Sequence, residues 1–178
     1  LIHKLREISC KITVKNDKIY IKSGSARKSL RMIETMPYPG FPTDAQAPLM
    51  AAALRADGTT VFTETIFQNR YRHVNEMTRM GARVRTEGKV AIVTGVPRLH
   101  GASVRCTDLR GGAALCAAAL AAEGQSVIAE IHHIERGYEH LDESLRQLGA
   151  NITRSDHETE AEETQTEQPT TSEEGAGA

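Results

Sequence analysis

The chain has 178 residues, enough for one domain with or without a tail, and a domain of that size needs no disulfide or metal staple. Its 22 Lys and Arg stand against 23 Asp and Glu, a formal charge of −1 that at face value argues against both a nucleic-acid binder and a strongly acidic protein. No apolar run nears the roughly 18 residues of a membrane span; the longest, Gly111 to Ala122, is alanine-rich and too short. The N-terminus lacks the charged-then-apolar pattern of a signal peptide, and it does not begin with Met, as expected of a piece of a longer protein. Three distant cysteines, Cys10, Cys106 and Cys116, suggest reduced thiols in a cytoplasmic protein, with no disulfide framework and no zinc site.

In chain order, Leu5–Ile8 followed by Cys10–Lys15 resembles Thr78–Arg85 and Leu145–Thr153. Lys11–Lys15 and Lys18–Lys22 then form a hairpin around Asn16-Asp17. A stiff loop follows, Pro37 to Asp44, with three prolines and one glycine in six residues. A helix is predicted over about 45–56, with Gly58 as its stop, then a β-branched strand over 60–65. Val74, Met77 and Met80 share a helical face ended by Gly81. Arg83–Thr86 and Val90–Thr94 make a second hairpin around Glu87-Gly88-Lys89. A second long helix is predicted over about 109–122, stopped by Gly124, and a strand over 126–131. Tyr138, Leu141, Leu145 and Leu148 then form a last apolar stripe, ended by Gly149.

The order repeats. Ala-Ala-Ala-Leu at 51–54 and 117–120, the Gly58 and Gly124 turns, and Arg70 and Arg136 are all 66 residues apart. A partial third copy opens the chain, with Ser9 where the others have Gly81 and Gly149. Strand–helix units with added hairpins predict a mixed α/β fold with internal symmetry, and the absence of a glycine fingerprint after a strand argues against a Rossmann sheet. Residues 155–178 carry eight acids and no Lys or Arg, a composition that predicts disorder, either a solubilising extension or an interaction tail. Setting the tail aside leaves 22 basic against 15 acidic residues, so the body of 1–154 carries about +7.

Four residues fall at corresponding element ends. The rigid loop delivers Asp44 to a helix start, where it serves either as an N-cap or as a general base toward a hydroxyl. Asp108 has the same N-cap alternative. Arg110 in the first turn opposes the helix dipole, which calls for either a neighbouring acid or a bound carboxylate or phosphate. Arg136 precedes the last helix beside Gly137 and, like Arg70, pairs either with a surface acid or with a ligand. Such a pole suits an acidic small molecule and the deprotonation of its partner. His132 and His133 are placed on opposite faces of a strand end, which argues against a shared metal. Few aromatics and no RNA motif argue against nucleic acid.

Tyr-Pro-Gly-Phe-Pro-Thr-Asp (38–44), Thr-Glu-Thr-Ile-Phe-Gln-Asn-Arg-Tyr (63–71), Arg-Met-Gly-Ala (79–82), Thr-Asp-Leu-Arg-Gly-Gly-Ala-Ala-Leu (107–115) and His-Ile-Glu-Arg-Gly-Tyr-Glu (133–139) resemble the UDP-N-acetylglucosamine enolpyruvyl transferases, in the EPSP synthase-like family. The resemblance covers about 1–154 and matches the C-terminal part of such enzymes. It implies an inside-out α/β barrel of repeated units, incomplete in this chain and exposing apolar surface where further units pack. It implies a cytoplasmic enzyme of peptidoglycan synthesis, and so of cell shape and division, acting on UDP-N-acetylglucosamine and phosphoenolpyruvate with no cofactor and no membrane partner. By the same resemblance Asp44 contacts and deprotonates the sugar 3-hydroxyl, the Ile66 backbone contacts the UDP-sugar, Asp108 and Arg110 are catalytic, and Arg136 binds phosphoenolpyruvate. Gln68, Tyr71 and Glu135 depart mildly from the family pattern. The family's other domain, with its loop acid, has no counterpart here, and none of the three cysteines matches that acid. The chain alone is therefore expected to be inactive. The alternatives are a non-catalytic binder of a nucleotide sugar or protein, and the sister activity on shikimate 3-phosphate.

Overall fold

The repeat in the sequence becomes a repeat of helix ends and strand pairs. A computed structural model describes residues 1–24 and 27–155; the acidic stretch predicted to be disordered lies outside the described residues, apart from Ser155. Helix α1 (Ile2–Glu7) leads into the hairpin of β1 (Lys11–Lys15) and β2 (Lys18–Lys22), with Asn16 and Asp17 both at positive φ in its two-residue turn. Strand β3 (Met32–Glu34), a 3-10 turn (Thr43–Ala45), helix α2 (Gln46–Ala53), β4 (Thr59–Thr63), helix α3 (Val74–Arg79), β5 (Arg83–Glu87) and β6 (Val90–Thr94) form the first whole unit. Strands β7 (Leu99–His100) and β8 (Ser103–Arg105), helix α4 (Leu109–Leu120), β9 (Ala122–Glu123), β10 (Val127–Ala129), α5 (His132–Glu135) and α6 (Leu141–Gln147) follow the same order.

The first unit's sheet runs β3-β4-β6-β5, with β3 parallel to β4 and the other pairs antiparallel. The second unit repeats the parallel pair as β8 beside β10. A short parallel pair, β7 with β9, repeats the isolated Lys28–Asp57 bridge. The two equivalent helices, α2 and α4, pack against each other at the centre. Ala47, Leu49, Ala51 and Ala53 of α2 and Ala114, Leu115 and Ala118 of α4 are buried, whereas β5 is almost wholly exposed. The central pair α2 and α4 lies inside with strands outside it, as an inside-out α/β arrangement requires, while α1 and α6 bury no residue fully. The main core joins Leu49, Met50 and Leu54 to Phe62, Met77, Met80 and Leu115. A second cluster of Cys106, Cys116 and Ile134 holds Tyr138, Leu141 and Leu145 against α4. Gly112 makes this approach possible, since a Cβ there would sit 2.7 Å from the Ile134 side chain. The hairpin β1–β2 leaves Val14, Ile19 and Ile21 exposed, the apolar surface expected of an incomplete barrel.

Several expectations are corrected. Helix α2 ends at Ala53 and α4 at Leu120, each closed by tight backbone turns at Leu54 and Ala121. Gly58 and Gly124 have positive φ, but they turn the chain toward the next strand and do not stop the helices. Strand β10 covers only three residues of the predicted 126–131. His132 and His133 begin α5 and are not in a strand; their rings lie 4.1 Å apart. Among the described residues no group of three or more His, Cys, Asp and Glu is placed to hold a metal. Leu148 is 84% exposed and drops out of the apolar stripe, because α6 has already ended. No described helix is long and apolar enough to cross a membrane.

Candidate active site

The loop 37–42, with a cis Tyr38–Pro39 peptide, delivers Asp44 into the 3-10 turn ahead of α2. The predicted N-cap is not made: no side chain caps α2, and Ala45 stands at its cap position. The Asp44 carboxylate instead bridges two arginines. Its Oδ1 accepts from Arg70 Nη2 and its Oδ2 from Arg110 Nη2, each at 2.9 Å. Hydrogen bonding from Arg110, with the charges of both arginines, holds the carboxyl below its ordinary range, and Asp44 in turn raises Arg110. The Asp44 side chain is 57% exposed. Ion pairs this open contribute only about 0–1 kcal/mol, so the fold does not depend on them.

Asp108 takes the other alternative. It is the N-cap of α4, accepting from the Gly111 amide at 2.8 Å and the Arg110 amide at 3.1 Å. The cap fixes the first turn from which Arg110 reaches Asp44. Arg110 also lies over the Tyr138 ring, 5.5 Å from its centre, and Arg70 over Phe67 at 5.2 Å. Arg136 was placed just before a helix; it instead follows the short α5, at its C-terminal end. Among the described residues no hydrogen bond or ion pair engages its guanidinium. The structure thus joins Asp44, Arg70 and Arg110 directly and brings Asp108 next to them through its cap. Arg136 stays outside, two residues from the Tyr138 ring. The Ile66 N–H is taken by Glu64 Oε1 at 2.9 Å, which leaves its carbonyl as the backbone group open to a ligand.

Two groups at this pole went unnoticed in the sequence. Glu64 is 1% exposed and accepts four hydrogen bonds. Its signal was a carboxylate at the end of a β-branched run, which a half-buried strand rarely tolerates without donors. His73, at the start of α3, is fully buried, with no hydrogen-bond partner for either ring nitrogen. Burial, aided by the charge of Arg70 and opposed by that of Asp108, pushes its imidazole down to about 4. Nothing in its local sequence marks it. Cys106 and Cys116 are driven by burial to about 12 and about 11, so both are inert thiols at neutral pH.

Residues 1–145 match the EPSP synthase (3-phosphoshikimate 1-carboxyvinyltransferase) family. The chain is 47% identical over 154 residues to UDP-N-acetylglucosamine 1-carboxyvinyltransferase 2 of Caldanaerobacter subterraneus subsp. tengcongensis, covering 86% of this chain and 37% of that protein. It is 46% identical over 158 residues to UDP-N-acetylglucosamine 1-carboxyvinyltransferase of Desulfofundulus thermocisternus, covering 89% of this chain and 65% of that protein. Among solved structures, the enolpyruvyl transferase NikO from Streptomyces tendae superposes with a TM-score of 0.76 at 31% identity, over 85% of this chain and 35% of NikO. The chain therefore spans between about a third and two thirds of the length of these relatives.

Proposed function

The chain belongs to the EPSP synthase family, and from that premise we propose that it supplies the sugar-activating half of an enolpyruvyl transfer from phosphoenolpyruvate to the 3-hydroxyl of UDP-N-acetylglucosamine. The observation that carries this reading is one carboxylate, Asp44, held between the guanidinium groups of Arg70 and Arg110. It is supported by the relatives at 46–47% identity, whose names specify UDP-N-acetylglucosamine and not a shikimate. On this reading the chain is the C-terminal part of a cytoplasmic enzyme that opens peptidoglycan synthesis, working with the region of its relatives that it does not span.

Asp44 and its two arginines form a latent acid–base unit. While both arginines are engaged, the carboxylate is a weak base. A phosphate or carboxylate arriving between them draws a guanidinium away and raises the basicity of Asp44 where the hydroxyl must lose its proton. The arginine then holds substrate charge as the sugar oxygen adds to C2 of the enol phosphate while the methylene carbon takes a proton from an acid in the region this chain does not span; loss of that carbon's proton with departure of phosphate then leaves the enol ether. Asp108 keeps Arg110 in place through the α4 cap. Arg136, with no protein anion to release, receives the carboxylate of phosphoenolpyruvate. The Ile66 carbonyl accepts from a donor on the UDP-sugar.

A chimera tests this: residues 1–154 replace the matching segment of the 47%-identical relative. Turnover of both substrates is expected, and Asp44→Ala should lower kcat by roughly 10²–10⁴-fold. Unchanged kcat in that variant would remove the base role from Asp44.

A further inference from the structure

One buried carboxylate ties together the segments that bear Asp44 and Ile66. Glu64 follows β4 and is 1% exposed. Its Oε1 accepts from Thr35 Oγ1 at 2.9 Å, the Ile66 amide at 2.9 Å and the Phe67 amide at 3.1 Å. Its Oε2 accepts from Thr43 Oγ1 at 2.8 Å. These donors come from three separate stretches: the residue after β3, the turn whose next residue is Asp44, and the chain leaving β4. Thr35 and Thr65 are joined as well, by a bond from the Thr65 amide to Thr35 Oγ1 at 2.9 Å and one from the Thr65 hydroxyl to the Thr35 carbonyl.

A buried carboxylate is an expensive way to fill space, since an apolar side chain would pack with no desolvation penalty. Its distinctive property is that both oxygens only accept, so they can gather several directional donors at one point. Burial pushes the Glu64 carboxyl up, but the Phe67 amide, the Thr43 hydroxyl, the Ile66 amide and the Thr35 hydroxyl together hold it below its ordinary range, so it is ionised at neutral pH.

We propose that Glu64 is a positioning residue that fixes the Asp44 turn and the Ile66 peptide at one separation, so that a nucleotide sugar meets the base and the Ile66 carbonyl together. This rests on the function proposed above and adds the group that sets the sugar's place. The phosphoenolpyruvate side, built on Arg110 and Arg136, makes no bond to Glu64: Arg110 is set by the Asp108 cap of α4 and Arg136 by the end of α5. Glutamine has nearly the shape of glutamate but offers one acceptor oxygen in place of two, so Glu64→Gln breaks the gathering with little change in volume.

The test uses steady-state kinetics of the chimera, with thermal melts of every variant. For Glu64→Gln the expected result is a KM for UDP-N-acetylglucosamine raised at least 10-fold and a KM for phosphoenolpyruvate within twofold of the parent. A merely structural role would lower the active fraction, and so kcat, with both KM values unmoved; that pattern overturns the inference. Should Glu64→Gln fail to fold, Thr43→Val carries the test, with a several-fold rise in the same KM expected and Thr43→Ser restoring the parent value. Unchanged KM in a folded Thr43→Val overturns the inference too. Lack of turnover by the parent chimera is a failure of the proposed function, seen separately. The coupling is then read from amide shifts of this chain itself: Glu64→Gln must move Asp44 as well as Ile66 and Phe67, and shifts confined to 66–67 overturn it.

Discussion

Asp44 and Asp108 hold corresponding places in the two units, yet their carboxylates do different things. Both were open between cap and chemistry in the sequence, because an Asp before a helix looks the same in either role. The decision came from the neighbourhood: α4 begins directly after Asp108, whereas Asp44 lies within a 3-10 turn ahead of α2, which leaves its oxygens to two arginines. His73 carries a prediction at this scale. Its imidazole falls from 6.5 to about 4 on folding, so between those values the unfolded chain binds a proton that the folded chain refuses. Stability from this group is complete above pH 6.5, falls as pH drops toward 4, and is level below that. The span corresponds to about 3 kcal/mol. Chemical denaturation at pH 7 and pH 4.5 should show most of this loss in the parent and a much smaller one in His73→Leu; equal losses would place the acid sensitivity elsewhere.

At the scale of elements, the clearest regularity is a cap made three times. After α3 the Gly81 amide bonds the Thr78 carbonyl and the Ala82 amide the Met77 carbonyl; after α6 Gly149 and Ala150 bond Arg146 and Leu145 in the same way. After α1, Ser9 and Cys10 bond Arg6 and Leu5 identically, and Ser9 is held at φ 77° in the position where glycine stands in the other copies. The sequence comparison had already aligned Ser9 with Gly81 and Gly149, and the shared backbone conformation is the reason. A side chain in the left-handed region is strained, so Ser9→Gly should stabilise the chain by about 0.5–1 kcal/mol in urea titrations, the strain relieved being partly offset by the entropy of glycine. The long helices were legible from alanine and leucine content, but their stops were not. Gly58 and Gly124 looked like helix stops because positive φ is useful in any turn, and here they serve the next strand.

The whole molecule is organised by α2 against α4, with strands outside and the polar pole of Asp44, Arg70 and Arg110 at the helix starts. Arg136 is unpaired among the described residues and the Asp44 side chain is 57% exposed, so the pole is open to solvent. Water reaches Asp44 freely, and the electrostatic stabilisation that enolpyruvyl transfer needs is weak in an open site. The purified chain alone should therefore give no detectable phosphate release from the two substrates, and release at a rate comparable to the chimera would show that no second half is needed. Periodicity, turn residues and the 66-residue repeat by themselves determined the mixed α/β class, both hairpins, the two long helices and the candidates Asp44, Asp108, Arg110 and Arg136, because each is a local property of the chain; the short elements β3, β7, β8, β9 and α5 carry no such local signal. Only the tertiary structure decided that Arg70 shares Asp44 with Arg110, that Asp108 caps, that His73 is buried without partners, and that Glu64 gathers donors from three segments. The Asp108 cap and the Ile66 and Phe67 amides on Glu64 are local, but the Arg70, Arg110, Thr35 and Thr43 donors lie 21 to 66 positions from the carboxylates they meet, and local sequence has no means of fixing which distant donor meets which carboxylate.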